Sequence, residues 1–138
     1  MKQALETLTF RTGGTGLHEI TGEIDTWLRA TGIAAGVLTL FCQHTSAGLL
    51  ITENASPAVP RDLLRWLARA APEGTGYEHA DEGPDDMPAH IRAVITGNSL
   101  AVPVAEGRML LGTWQGVFLA EHRRRPHRRE IMLTAIGE

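Results

Sequence analysis

Histidine is the first residue type in this chain that could do chemistry. His44, His79 and His90 are spread through its middle. A neutral imidazole is the commonest protein ligand for zinc-like metals, and three ring nitrogens plus a water make an open, catalytic-type site. The spacing is not diagnostic. His79 and His90 are too far apart for a two-ligand helix motif, and His44 comes from elsewhere in the chain. The competing reading makes His44 a hydrogen-bonded core residue and His79 a solvated one.

Acids come next. Glu78, Asp81, Glu82, Asp85 and Asp86 crowd one short stretch, and five arginines (Arg123, Arg124, Arg125, Arg128 and Arg129) crowd another. Glu82, Asp85 and Asp86 have the oxygens to hold a hard cation such as magnesium, or to orient the histidines as hydrogen-bond acceptors. Asp86 is equally explained as a helix cap and Asp81 as loop solubility. Arginine forks bind phosphate bidentately, yet a charged hairpin tip that keeps sheet edges soluble accounts for most of these arginines, and that reading is preferred.

Several chemistries are excluded. Gly13-Gly14-Thr15-Gly16 precedes a helix but lacks the lysine and hydroxyl residue of a P-loop. Ser46 has no glycine-flanked nucleophile elbow around it. Cys42, the single cysteine, has apolar neighbours and reads as packing.

The elements that must position these residues follow from periodicity. Residues 4–11 alternate as a half-buried strand, with Leu8 and Phe10 on one side, and glycines then break it. Ile20, Ile24, Trp27 and Leu28 recur at helical spacing over 19–31, and Gly32 ends that helix. Residues 36–44 form a strand that puts Leu38, Leu40, Cys42 and His44 on one face, followed by a strand at 48–52. Ser56 and Pro57 start a helix with Val59, Leu63, Leu67 and Ala70 as its stripe. Residues 72–86 are a long loop, of a length more often functional than idle. Asp86 caps a short helix that buries Met87, Ile91, Val94 and Ile95 and stops at Gly97. Hairpins follow, pairing 99–104 with 108–111 and 113–122 with 130–136. Two to three helices with antiparallel, sandwich-like sheets make the class α+β, in one domain over 1–138.

Composition agrees. At 138 residues, 43% hydrophobic and 21% charged, the chain is an ordinary globular domain. One cysteine permits no internal disulfide, which suits a reducing compartment. No apolar run spans a bilayer and residues 1–11 lack a signal-peptide core, so a cytoplasmic location with no membrane partner is expected. The net charge of −3 argues against bulk nucleic-acid binding.

Five stretches then resemble a known family. They are Gln43-His44-Thr45-Ser46-Ala47, Glu53-Asn54, Tyr77-Glu78-His79, the run from Glu82-Gly83-Pro84-Asp85-Asp86-Met87-Pro88 to Ala89-His90-Ile91, and Leu111-Gly112-Thr113-Trp114-Gln115-Gly116. In order and over nearly the whole chain they resemble the YjbQ family, also called secondary thiamine-phosphate synthases. The resemblance implies an α+β fold, a homotrimer, and a pocket at or near the subunit interface. It also implies a weak activity that joins a pyrimidine diphosphate to a thiazole phosphate and releases pyrophosphate. A small phosphorylated molecule is thus the expected partner. Carried onto this sequence, the motif histidines are His44, His79 and His90, expected to bind a divalent zinc or magnesium ion. Asp86, Glu82, Asn54 and Gln115 are the expected catalytic residues. The alternative is a trimer that binds metal or metabolite without turnover.

Overall fold

The structure, a computed structural model, describes residues 1–74 and 76–138. Its frame is a pair of long strands, β1 (Lys2–Thr12) and β8 (His127–Gly137), matched in antiparallel register from Lys2↔Gly137 to Thr12↔His127. On the other edge of β8 lies β3 (Gly36–Cys42), followed by β5 (Ser99–Ala105) and the two-residue β6 (Arg108–Met109), giving the order β1-β8-β3-β5-β6. Glu106 and Gly107, both at positive φ, turn β5 into β6 as a type I′ hairpin requires. A second sheet has β7 (Gln115–Glu121) between β2 (Gly16–Glu19) and β4 (Ala47–Glu53).

The inner faces of the two sheets and helix α1 (Thr21–Thr31) meet in one core. Leu38 and Leu40, Leu133 and Ala135, and Val102 and Val104 come from the large sheet. Leu49, Val117 and Leu119 come from the small one, and Ile24 and Leu28 from α1. Each large aliphatic side chain buried this way stabilises the fold by about 1.5–3 kcal/mol. Gly32, at φ 75, closes α1 as the spacing predicts. Helix α2 (Ala58–Ala70) packs against β2, and α3 (Asp86–Thr96) against β4. The expected α+β class with antiparallel sheets is what is found, with three helices.

Four local readings are corrected. The expected hairpin between 113–122 and 130–136 does not form, because β7 pairs with β2 and β4 in the small sheet and β8 with β1 and β3 in the large one. The glycine break after β1 contains a strand of its own, β2, because its backbone pairs with β7. Asp86 is the first residue of α3 and makes no capping bond, since its carboxylate is engaged elsewhere. The buried face of α3 is also rotated from the predicted one. Val94 is 85% exposed and Ile95 47%, while Asp86, Pro88 and Ala89 are buried. Gly48 explains the docking: a Cβ there would strike the Thr96 hydroxyl and the Gly97 carbonyl, so β4 accepts the C-terminal end of α3 only because that position is bare.

Candidate functional site

Three connections converge at the end of the small sheet where Ala47 pairs with Glu121. The loop before α3 brings His79, the β3–β4 connection brings His44 and Thr45, and the β7–β8 connection brings Arg123. Asp86 and His90 stand four apart on α3, one above the other.

Asp86 is the hub. Its Oδ2 lies 2.7 Å from His79 Nε2 and 3.1 Å from His90 Nε2, and its Oδ1 accepts a 2.7 Å bond from Arg123 Nη1. Arg123 also donates from Nε to Asp85 at 3.0 Å and from Nη2 to the Glu82 carbonyl at 3.0 Å. Burial pushes the Asp85 carboxyl up, but the Arg123 guanidinium and the Arg124 amide outweigh it and hold the group at about 2. For Asp86 burial likewise acts upward, and His79, His90 and Arg123 outweigh it and hold the carboxyl below its ordinary value.

Proton counting at His90 is informative. Its Nδ1 is 2.8 Å from the Thr45 carbonyl, which can only accept, so Nδ1 carries the proton. A neutral ring then has a lone pair on Nε2, yet that atom faces a carboxylate oxygen. A ring protonated on both nitrogens, donating to each acceptor, or a metal cation between Nε2 and the carboxylate resolves the conflict. A ring N–H tied to a backbone carbonyl is also how metal-bound histidines are usually held. His79, Asp86 and His90 each offer one ligand atom, all within 4.8 Å of one another. Four ligands at zinc-like bond lengths stand roughly 3.3–3.5 Å apart, so a small expansion admits the ion. The donor set therefore fits a divalent metal.

The expected site residues separate. His79, His90 and Asp86 come together; Glu82 contributes only its backbone carbonyl, to Arg123. His44 stands apart from the three ligand atoms, but with His90 it lines an open cavity of about 560 Å³ walled by Ala47, Ala93 and Val94. Asn54 and Gln115 lie at the opposite end of the small sheet. Gln115 pairs with Glu53, the last residue of β4, and Asn54 donates to Glu19 at 2.9 Å. Seven strand residues put them about 20 Å away. Arg123, read from sequence as one of several arginines at a charged hairpin tip, instead reaches into the cluster to Asp85, Asp86 and the Glu82 carbonyl. Adjacent Asp85 and Asp86 needing a cation, with a dense arginine turn to supply it, was the available signal.

The comparisons agree with this fold. The family model for YjbQ-like UPF0047 proteins matches residues 6–138. This chain belongs to that family. A UPF0047 protein of Synechocystis is 47% identical over 138 residues, covering 99% of this chain and 94% of its own. The YjbQ protein of Escherichia coli O157:H7 is 43% identical over 134 residues, covering 96% of this chain and 97% of its own. A solved Clostridium acetobutylicum structure of the YjbQ/UPF0047 family, 32% identical, superposes with a TM-score of 0.87 over 95% of this chain and 99% of its own.

A second charge cluster lies just inside the first. Arg129 donates from Nε to Glu121 Oε1 at 2.7 Å and from Nη2 to Glu121 Oε2 and to Ser46 Oγ, while Thr12 donates to Glu121 at 2.6 Å. Beside it, His122 is 1% exposed. Its Nε2 lies 3.2 Å from the Thr96 hydroxyl and its Nδ1 has no partner. Burial, then the Arg92 charge, push this imidazole down to about 4.

Proposed function

We propose that the chain is a metal-assisted enzyme acting on a small phosphorylated molecule, with thiamine-phosphate-synthase-like chemistry. His79, Asp86 and His90 would hold the ion. The single observation carrying this reading is His90, whose two ring nitrogens both face acceptors. Two imidazoles with one carboxylate suit zinc better than magnesium, which prefers oxygen ligands. When bound, the ion supplies positive charge against the negative charge that builds on a departing diphosphate. Arg123 fixes the Asp86 carboxylate, Thr45 fixes the His90 ring, and the cavity beside His90 receives the substrate.

A second reading, metal or metabolite binding without turnover, is favoured by a different observation. Of the four expected catalytic side chains, only Asp86 belongs to the cluster. A homotrimer accompanies either reading. Its support is the outer face of the large sheet, where Leu5, Val37, Phe41 and Ile136 stand exposed.

Elemental analysis and a synthase assay on wild type and His90→Ala test the proposal. One zinc per chain and pyrophosphate release, both lost in the variant, would support catalysis. Zinc binding without turnover would leave the binding reading. A metal-free chain with turnover unaltered by the substitution would end the proposal, and light scattering reports the trimer separately.

A further inference from the structure

Proton counting at the other cavity histidine gives a different result. His44 Nε2 lies 2.8 Å from the backbone nitrogen of Glu130, which can only donate, so Nε2 is an acceptor and holds no proton. A neutral ring then carries its proton on Nδ1. Neither nitrogen is left as a lone-pair ligand for a metal, nor as a base, unless the bond to β8 breaks. Burial, with the Arg129 charge behind it, keeps the ring below its ordinary value and so favours the neutral form.

Among the described residues no acceptor is within reach of His44 Nδ1, and that atom is not among the buried unpartnered ones. His44 lines the same cavity as His90, along with Thr45 and Asn98. Asn98 makes no side-chain hydrogen bond among the described residues, so its amide is a second polar group there. Ala47, Ala93 and Val94 form the apolar part of the wall. A neutral imidazole with its N–H presented to a cavity is a hydrogen-bond donor suited to an oxygen that carries or develops negative charge.

We propose that His44 is a ligand-binding donor, whose Nδ1–H anchors a phosphoryl oxygen of a small molecule seated beside His90. The inference rests on the metal-site reading for its ligand class, but the ring's tautomer does not. The backbone bond to Glu130 fixes the ring's direction, so the anchor is built before a ligand arrives. A molecule with an anionic phosphoryl group and a small apolar body matches this wall.

Two measurements test it. Long-range nitrogen–proton NMR of the imidazoles near pH 7 is expected to show His44 neutral and protonated at Nδ1. Protonation at Nε2, or a doubly protonated ring, overturns the proposal whatever the metal does. Calorimetric titration of inorganic phosphate into zinc-treated protein is expected to weaken about tenfold in His44→Ala, the size of one good hydrogen bond. His44→Gln, which keeps an N–H donor, should recover part of that. Zinc stoichiometry should be the same in wild type and both variants. Loss of zinc in His44→Ala would make His44 a metal ligand, and undiminished phosphate affinity would leave it no role as an anchor; either result refutes the inference. Absence of zinc from wild type would instead sink the metal reading, while the NMR result still judges the tautomer.

Discussion

The two charge clusters at this end of the molecule are built from the same ingredients, an arginine, an acid and a neighbouring histidine, and have opposite characters. In the inner one, both Glu121 oxygens and the Arg129 fork are matched to each other and to Thr12 and Ser46, and the side chains are 0% and 4% exposed. In the outer one, Asp86 is buried but His79 is 46% exposed, and His90 has an acceptor opposite each ring nitrogen. The closed Glu121–Arg129 pair has nothing left to offer a ligand, and the one unpartnered atom beside it, His122 Nδ1, is sealed from solvent. An open one with two acceptors facing one ring does. Chemical content therefore does not separate a structural ion pair from a candidate site; the balance of donors and acceptors does.

The largest effect expected from disturbing this contrast is at the inner pair. Glu121→Ala strands a buried guanidinium and should lower stability by about 3–5 kcal/mol in urea unfolding. Replacing Glu121 and Arg129 together by methionine should cost much less, because no unpaired charge remains.

A pH series gives the next largest. The unfolded His122 ring protonates near its ordinary 6.5 and the folded ring near 4. Between those values the unfolded chain holds one more proton, so stability falls as pH drops from about 6.5 to about 4, by about 3 kcal/mol in all. His122→Asn should remove that part of the slope, and unfolding midpoints across the range would show it.

At the outer cluster, Arg123→Ala should cost about 1–3 kcal/mol, since two buried carboxylates lose their shared donor. Added zinc should recover part of this loss, as ligand binding to the folded form alone stabilises it. Glu121→Ala keeps all three ligand residues, so zinc should stabilise it only as much as it stabilises wild type, and Arg123→Ala by more. Equal rescue of both variants, read by thermal melting, would erase the distinction between the clusters. The smallest effect is expected at Val94→Ser on the exposed face of α3, within about 0.5 kcal/mol.

How much of this was legible depends on which interactions are local. The alternation of Leu38, Leu40 and Cys42 and the spacing of Ile20, Ile24 and Leu28 are written in neighbouring residues, and these positions are buried as read. The phase of α3 was misread because its apolar residues Val94 and Ile95 face outward, while its buried side is set by contact with Gly48 and by Asp86 turning toward Arg123. His79 and His90 were singled out by residue type, and their meeting at Asp86 needed only a loop to fold back. Arg123 lies 37 residues from Asp86 in the chain, and nothing local distinguishes it from the other arginines of its turn. The separation of Asn54 and Gln115 from the histidines was invisible for the same reason, since it depends on which end of β4 and β7 each occupies.

The most direct test is zinc titration by calorimetry, run on wild type, His90→Ala and Arg129→Met. A metal ion seated between His90 and Asp86 predicts one ion per chain in wild type, none in His90→Ala, and unchanged stoichiometry in whatever Arg129→Met remains folded. Heat of binding that persists undiminished in His90→Ala, or no binding to wild type at all, would contradict it.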